Sequence, residues 1–492
     1  MTVPAHSDAP PDSQQTTNRR VERGRAWSVE AHGIDFVPEA ERYGGPARLF
    51  SIWFSINLSI VCLTAGTLGV FAGLGLGWTI VAITLGGAIG TVFMAAHSAQ
   101  GPHLGVPQMI QSRAQFGVLG AALPLVAVVI TYTLYTAADG VVVRDTVKAL
   151  AHVGDDGAII GFGLITLVIA FVGYELIHRL GATLAVASLL LLLAAFIITA
   201  TRGHSSAAAG TPWQSFSHGA FMLTMTQAAA WSLSFGPYVA DYSRYLPSAV
   251  STKRTFWFTA CGNFAGATLV MAFGAYLATA HQDIARDPGT GIAGLFGTGA
   301  PWVRVLIAVG VLQGNVMNLY SAYMSSATIF TGVRGMSRLG IGAKFLSMSL
   351  LIAAATLIAV LAQYRFDLYF GDMLSAMIYI LIPWSSINLT DYYYVRKGRY
   401  AITDLFRTDG IYGRYRWKVI GVYLAGIALQ IPFMQLSFFN GAIARLLGAD
   451  IAWIPGLIIP AILYAMLEQP DPLAPTRIDE ATSNPAYKRL KE

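Results

Sequence analysis

The feature that most restricts the fold of this chain is a series of apolar runs, each long enough to cross a lipid bilayer. Such runs, roughly 20 residues each, recur from Phe50 to the neighbourhood of Leu467. Only 12% of the side chains are charged and 55% are hydrophobic, whereas soluble domains typically carry about 25% charged residues. The sequence therefore predicts an all-α polytopic membrane protein.

Twelve membrane-spanning segments (spans) in one transporter-sized domain, residues 48–467, account for these runs. Residues 1–47 form a polar N-terminal tail, in which residues 1–18 are rich in Ser, Pro, Thr and Gln and are expected to be disordered; residues 468–492 form a C-terminal tail. The predicted span bounds are 48–73, 76–97, 118–143, 158–175, 181–200, 219–240, 255–280, 302–330, 345–363, 372–394, 417–437 and 451–467.

The distribution of basic residues predicts the orientation of the spans. With a cytoplasmic N-terminus, 25 of the 32 Lys and Arg residues fall in inner segments and 7 in outer ones, as the positive-inside rule requires. The chain is therefore expected in the plasma (inner) membrane with both termini cytoplasmic. The basic residues form no continuous patch, so nucleic acid is not an expected partner. The oligomeric state is left open.

The sequence contains no pattern typical of a catalytic or metal site. Its two cysteines, Cys62 and Cys261, lie inside apolar runs, and its 9 histidines lie in tails, loops or span ends without a His-Glu-x-x-His motif. No cofactor and no enzymatic activity are expected. A channel is disfavoured as well, because no span repeats a polar stripe that could form a ring.

Helix-breaking residues interrupt two spans that are five apart. They are Thr64–Gly69 in the first span and Ser234–Pro237 in the sixth. Unwound backbone at membrane depth is tolerated only where it lines a cavity, and breaks at matching positions of two halves point to an inverted-repeat transporter. The sequence thus predicts a solute site between the two breaks.

Polar side chains at membrane depth are costly, so those that remain are candidate site residues. In the first span Thr64, beside Gly66, is favoured for the cavity, although a purely structural role is equally open. In the third span Tyr135 and Asp139 share one helical face and can bind the amidine-like edge of a solute. Burial would favour the protonated carboxyl group, which makes Asp139 a candidate proton carrier; alternatively, it lies at the outer interface near Arg144.

The sixth and eighth spans supply the remaining candidates. Next to a helix break, an aromatic ring can stack on a flat solute while backbone groups make hydrogen bonds to it. Carboxamides match the donor and acceptor pattern of a nucleobase, although hydrogen bonds between helices explain such amides too. The predicted binding residues on these spans are Trp231, Ser234, Phe235, Gln313, Asn315 and Asn318.

Several longer segments are similar to a known family. They are Gly33–Pro38, Glu41–Gly44, Trp53–Leu58, Gly101–Met109, Gly236–Pro247, Pro383–Trp384 and Asp391–Arg396. Through them the chain resembles the purine and cytosine permeases of the nucleobase-cation symporter-1 family. The resemblance implies a LeuT-like fold of five plus five inverted helices with two more at the C-terminus. It also implies a solute site between spans 1, 3, 6 and 8.

The resemblance also implies roles for single residues. Phe235 is similar to the family's solute-stacking ring, at a place where Trp is often found, and Asn318 resembles its solute-binding amide. Asp139 lies near a polar position of span 3 where an amide is more usual. Sodium-coupled members carry adjacent hydroxyl residues on span 8, where this chain has Gln313 and Gly314. A proton is therefore the preferred coupling ion; sodium remains the alternative, because carbonyl groups of span 1 can contribute to a site.

The predicted function is that of a symporter that imports a nucleobase, such as cytosine or a purine, by alternating access. An ionised Asp139 favours an amidine-like edge over uracil, whose imide would turn carbonyl groups towards the carboxylate. Allantoin, hydantoin, a nucleoside or a vitamin are alternative substrates. A non-transporting nutrient sensor on the same scaffold is the alternative from another class.

Overall fold

The computed structural model describes residues 35–172, 174–201, 212–334 and 340–468. Residues 1–34 of the predicted N-terminal tail and residues 469–492 of the C-terminal tail lie outside the described residues. A short antiparallel hairpin, β1 (Gln435–Leu436) with β2 (Phe439–Asn440), joins two late helices. In chain order the α-helices are α1 (Ala47–Ile56), α2 (Ile60–Phe71), α3 (Leu76–Ser98), α4 (Gly101–Leu104), α5 (Gln108–Phe116), α6 (Ala122–Ala151), α7 (Asp155–Val172), α8 (Tyr174–Thr201), α9 (His218–Leu233), α10 (Gly236–Ser243), α11 (Thr252–Ala280), α12 (Gln282–Arg286), α13 (Pro288–Gly294), α14 (Ala300–Arg334), α15 (Ile341–Ala362), α16 (Phe366–Leu389), α17 (Trp417–Ala428), α18 (Ala442–Leu447) and α19 (Trp453–Leu467).

These helices supply the predicted twelve spans. In the described part of the chain, 7 helical stretches are long and apolar enough to cross a bilayer, and the bent pair α1–α2 supplies an eighth crossing. One of the 7, Ile341–Val395, holds both α15 and α16; each of these is longer than the hydrocarbon core at 1.5 Å per residue, so they cross separately. The interrupted pair α9–α10 and the shorter apolar helices α17 and α19 complete the set.

Eight of the first nine spans pack in two groups, and spans that are five apart in the chain belong to the same group. Spans 1, 2, 6 and 7 (α1 to α3 and α9 to α11) contact one another closely and form what we term the core group. Spans 3, 4, 8 and 9 (α6, α7, α14 and α15) do the same and form the frame group. Adding five to any of spans 1 to 4 gives a span of the same group. Because five is odd, the chain crosses the membrane in the opposite direction, and the two halves form an inverted repeat.

Glycines let the helices of the core group approach closely. A Cβ atom added to Gly66 of α2 would lie 2.0 Å from the carbonyl oxygen of Met271 on α11, and one added to Gly274 of α11 would lie 2.0 Å from that of Leu63. Gly90 of α3 is equally close to the backbone of α9. Small residues are the usual contact points of membrane helices, and no larger side chain fits at these crossings unless a helix moves.

The first span is interrupted at Asn57–Ser59, and the prediction of a break at Thr64–Gly69 is wrong. α1 and α2 meet at an angle of 64°. Ser59 caps α2, because its hydroxyl accepts a hydrogen bond from the backbone N–H of Cys62 (3.2 Å). The segment Thr64–Gly69 lies inside α2 as continuous helix. Its Gly66 permits the contact with α11 and does not unwind the backbone.

The sixth span is interrupted where the sequence predicts it. α9 ends at Leu233 and α10 begins at Gly236, with Pro237 in its first turn. Pro237 has no N–H, so the carbonyl group of Leu233, four residues earlier, loses its helical donor. Ser234 and Phe235 therefore lie between two helices, with backbone groups available to side chains of other spans.

The two C-terminal spans lie outside the repeat and fix span 10 (α16). Tyr464 of α19 donates a hydrogen bond to the buried carboxylate of Asp391, at the end of span 10 (2.8 Å), and Tyr379 of α16 donates one to Asp450, in the connection before α19. Asp391 also forms an ion pair with Arg396 (3.0 Å). The two C-terminal spans and their connection thus hold span 10 at two points along its length.

Candidate functional site

A cavity lies where the two helix breaks of the core group face α6 and α14 of the frame group. Leu58 and Ser59 from the first break and Ser234 and Phe235 from the second line it, and α8 adds Ser188. Its volume, counted over positions open to the centre of a water molecule, is about 70 Å³. One water needs roughly 10–15 Å³ on this measure, so the cavity has room for roughly five waters or for a small flat solute.

Asn57, which is fully buried, ties the first break to the rest of the core group. Its amide nitrogen donates hydrogen bonds to the carbonyl group of Trp53 (2.7 Å) and to Asn263 of α11 (3.1 Å). Its amide oxygen accepts one from the indole N–H of Trp231 (2.8 Å). A buried polar group without partners is costly, so this network fixes the two breaks and span 7 relative to one another.

The second break is bound by two phenols of α6. Tyr132 donates a hydrogen bond to the carbonyl group of Ser234 (3.2 Å), and Tyr135 donates one to the Ser234 hydroxyl (3.0 Å). That hydroxyl donates in turn to the carbonyl group of Trp231 (2.7 Å). Three residues apart, the tyrosines lie on one face of α6. They therefore join the frame group to the core group directly beside the cavity.

Aromatic rings form one wall of the cavity. The ring centroid of Phe235 lies 5.7 Å from that of Trp53, 6.1 Å from that of Trp231 and 5.9 Å from that of Tyr238. The rings of Trp231 and Tyr238 meet Phe235 at 87° and 81°, the edge-to-face geometry that aromatic pairs favour. Phe235 remains partly exposed on the cavity side, so its ring can stack on a flat solute.

Asp139 is the only carboxyl group among the described residues that line the cavity. It is 5% exposed, and its Oδ2 accepts a hydrogen bond from Nδ2 of Asn318 on α14 (3.1 Å). α6 continues beyond Asp139 to Ala151, a further distance of about 18 Å along its axis. The carboxyl group is therefore buried in the cavity near the middle of α6, which favours a position at membrane depth over the outer interface near Arg144. No Lys, Arg or His of the described residues lines the cavity to balance its charge.

Most of the predicted binding residues meet at this cavity. They come from spans 3, 6 and 8, which are far apart in the sequence, and the fold brings them to one place. The predicted residues in the lining are Tyr135, Asp139, Trp231, Ser234, Phe235, Gln313 and Asn318.

Thr64, Gly66 and Asn315 lie outside the cavity, which corrects their predicted place. The hydroxyl of Thr64 donates to the carbonyl group of Ile60 within α2 (2.9 Å), and Gly66 faces α11. Asn315 donates to the hydroxyl of Thr166 on α7 (3.0 Å). One residue along a helix turns the side chain by about 100°, so an amide next to a cavity-lining position can point into the frame group instead.

The cavity lining also includes Leu58, Ser59 and Ser188; sequence reasoning missed Leu58 and Ser188, and it favoured Thr64 over Ser59. A signal for Ser59 exists, because a serine directly before an apolar run is a preferred N-cap and marks a helix start. Ser188 lies in the long apolar fifth span, where no local pattern distinguishes it. Its role depends on the side of α8 that faces the break, which only the packing determines.

Comparisons with known proteins show which family this chain belongs to and which solved structures share its fold. The family model described as "Permease for cytosine/purines, uracil, thiamine, allantoin" matches residues 36–456. The chain is 36% identical to the YxlA protein of Bacillus subtilis (strain 168) over 450 residues, which cover 90% of this chain and 96% of that protein. It is 24% identical to the purine-cytosine permease FCY2 of Saccharomyces cerevisiae, over 89% of this chain and 86% of FCY2.

Solved structures share the fold. Mhp1, a nucleobase-cation-symport-1 family transporter in a closed conformation with bromovinylhydantoin bound, gives a TM-score of 0.70 at 17% identity, over 94% of this chain and 99% of Mhp1. The inward-facing conformation of Mhp1 gives 0.69 at 18% identity, over 93% and 96%. The predicted LeuT-like architecture of five plus five inverted helices with two more at the C-terminus is confirmed.

Proposed function

The chain belongs to the family of permeases for cytosine and purines, uracil, thiamine and allantoin, and from this premise we propose that it imports a nucleobase such as cytosine or a purine together with a proton. It is an integral membrane transporter and not an enzyme. The observation that supports the proposal is the hydrogen-bonded pair of Asp139 and Asn318 in a cavity between the two helix groups.

Asp139 favours an amidine-like edge as the recognised group. Cytosine and adenine both present an amino N–H beside a ring nitrogen with a free lone pair. A carboxyl group that carries one proton matches this edge, because its O–H donates to the ring nitrogen and its other oxygen accepts from the amino group. Uracil presents an imide edge, with one N–H between two carbonyl groups. An ionised carboxylate would place one of its oxygens against a carbonyl oxygen of this edge. A protonated carboxyl group could donate its O–H only to a carbonyl oxygen, which is a weaker acceptor than the ring nitrogen of cytosine or adenine.

Asn318 and Phe235 would hold the remaining surfaces of the base. The Asn318 amide nitrogen is engaged by Asp139, which leaves its amide oxygen to accept an N–H of the solute. The partly exposed ring of Phe235 offers an apolar face for stacking. Polar recognition along one edge and stacking on one face together select a flat heterocycle over an aliphatic amine or amide.

A proton is the proposed coupling ion because of the charge balance in the cavity. A bare carboxylate at membrane depth is costly, and no cationic side chain of the described lining offsets the charge of Asp139. A proton shared between Asp139 and the base gives a neutral complex. Movement of the core group against the frame group can then carry base and proton together, without moving an unbalanced charge through the membrane.

Sodium coupling is the second candidate. Carbonyl groups at the break Asn57–Ser59 are backbone oxygens of the kind that bind sodium in transporters with broken helices. On α14, however, the cavity is lined by Gln313 and Gly314, neither of which carries a hydroxyl. Hydantoins, allantoin, nucleosides and vitamins remain alternative substrates, and a non-transporting sensor is the alternative class.

Uptake into proteoliposomes tests the proposal. We expect labelled cytosine or adenine to accumulate under an imposed pH gradient and not under a sodium gradient alone. Asp139→Asn preserves the shape of the side chain and an acceptor for Asn318 but cannot carry the proton, so it should abolish accumulation while retaining exchange of internal for external base. Asp145→Asn is the matched control on the same helix, because Asp145 lies outside the cavity lining and pairs with Arg144.

Each outcome of this experiment has a distinct meaning. Accumulation driven only by sodium would overturn proton coupling. Equal inhibition of labelled cytosine uptake by unlabelled uracil and cytosine would overturn the proposal that Asp139 recognises the amidine-like edge of the base. Binding of bases without flux in any gradient would indicate a sensor, and neither binding nor flux would overturn the substrate class.

We further propose that the chain lies in the plasma (inner) membrane with both termini cytoplasmic. Support comes from the excess of Lys and Arg in the segments assigned to the inner side, 25 against 7. Labelling of single cysteines introduced at Ser7 and at Gly299, with a reagent that does not cross the membrane, checks this topology in intact cells. We expect the cysteine at position 299 to be labelled and the cysteine at position 7 to be protected. The opposite result would reverse the assignment.

A further inference from the structure

Two glycines of α14, one turn apart, line the cavity, and they differ in what surrounds them. A Cβ atom added to Gly310 would lie 3.7 Å from Oγ of Ser188, in ordinary contact with α8. A Cβ atom added to Gly314 would meet no atom of the described residues within 4 Å. The missing side chain of Gly314 therefore leaves open space, and this space belongs to the cavity.

Helix packing does not explain this glycine. The glycines at the crossings of the core group are required because backbone atoms of another helix lie close by, as at Gly66, where the carbonyl oxygen of Met271 would be 2.0 Å from an added Cβ. Among the described residues Gly314 has no such neighbour. A glycine inside a helix is less stable than alanine by about 1 kcal/mol, and no contact with another described helix offsets that cost at Gly314.

The position of Gly314 relative to the polar pair suggests what the space is for. Gly314 precedes Asn318 by four residues, or about 6 Å along the helix axis, and lies on the same face. A base whose polar edge pairs with Asp139 beside Asn318 can extend along α14 towards Gly314. In that orientation a single six-membered ring would end short of Gly314, whereas the second ring of a purine would extend towards it.

We infer that Gly314 sets the size limit of the solute and provides the space for the second ring of a purine. The inference rests on the proposed function, because it assumes that a base binds with one edge at Asp139. It adds that the cavity takes bicyclic as well as single-ring bases, and that this breadth depends on one missing side chain.

Substitution of Gly314 by larger residues tests the inference. In Gly314→Ala and Gly314→Val, we expect kcat/KM for adenine uptake to fall while that for cytosine changes little. The ratio of the two should shift by roughly tenfold or more in the valine variant, because the fit of even one methylene in an apolar pocket is worth roughly 10- to 200-fold. Equilibrium binding of both bases to the purified transporter in detergent should show the same shift independently of the coupling ion.

The matched control is Gly421→Ala on α17. An added Cβ there also meets no described atom within 4 Å, and Gly421 does not line the cavity. It should leave the ratio unchanged. Since alanine is the better helix former, a loss of adenine binding in Gly314→Ala cannot be assigned to a weakened helix; thermal unfolding of the variants checks this directly.

The outcomes separate the inference from the proposed function. If the unmodified transporter carries neither base, the proposed function fails. If it carries cytosine but not adenine, or if both Gly314 variants lose the two bases equally, the inference about size fails while the proposed function stands. An unchanged ratio in Gly314→Val would overturn it as well.

Discussion

Replacing Gly66 by alanine tests whether α2 is a continuous helix packed against α11 or an unwound segment. The added Cβ atom would lie 2.0 Å from the carbonyl oxygen of Met271 and 2.5 Å from its Cα. Ordinary van der Waals contact begins at 3.4 Å, so the two helices must separate by the difference, about 1.4 Å. Neither side can adjust locally, because both contacts are made by backbone atoms.

The expected loss of stability follows from these distances. Overpacking typically costs about 1–3 kcal/mol, and a contact between two backbones places this case at the upper end, about 3 kcal/mol. The same separation would open the reciprocal contact of Gly274 with Leu63. The higher helix propensity of alanine offsets about 1 kcal/mol of this loss in the free energy of unfolding. We therefore expect Gly66→Ala to lower the free energy of unfolding by about 2 kcal/mol.

Reversible unfolding by SDS in mixed micelles, followed by tryptophan fluorescence, measures this change. Gly314→Ala is the internal reference, because the same substitution there meets no described atom within 4 Å and should slightly raise the stability. If Gly66→Ala is as stable as this reference, the contact between α2 and α11 is wrongly assigned. The segment Thr64–Gly69 would then again be a candidate for unwound backbone.

Two further predictions concern the polar groups around the cavity. A double-mutant cycle of Asn57→Ala and Trp231→Phe should give a coupling energy of about 1 kcal/mol in the same unfolding assay, because hydrogen bonds inside membrane proteins contribute about 0.6–1.7 kcal/mol when measured in this way. Additive effects of the two substitutions would contradict a direct hydrogen bond between the two breaks. Asn315→Leu should change the KM for the transported base by no more than about twofold, because the Asn315 side chain donates a hydrogen bond to Thr166 and does not line the cavity. A rise in KM of about tenfold would contradict the position of Asn315 outside the cavity.

The predictions that agree with the structure depend on local chemistry. Membrane helices must satisfy their own backbone hydrogen bonds, so long apolar runs with few charges predict spans without any knowledge of the partners. Pro237 removes a hydrogen-bond donor wherever it lies, which is why the break of the sixth span is visible in the sequence. Tyr135 and Asp139 share a helical face by their spacing alone.

The predictions that disagree with the structure concern residue types that can serve either of two structural roles. Glycine accommodates unwound backbone, but it also allows close contact of two helices, and the sequence around Gly66 is the same in both cases. The nearby carbonyl group of Met271 belongs to a helix about 200 residues later, so no local pattern reveals it. Asn315 is ambiguous for a similar reason, because its partner Thr166 lies on another span.

By itself, the sequence determined that the chain spans a membrane about twelve times, that the sixth span is interrupted within Ser234–Pro237, and which polar residues were available for a site. Only the tertiary structure decided which of them meet. The cavity forms because spans five apart in the chain pack in the same group, and the faces that the two groups turn towards each other depend on contacts between distant helices. That is why Asp139 and Asn318 share a hydrogen bond while Asn315, three residues from Asn318, points into the frame group.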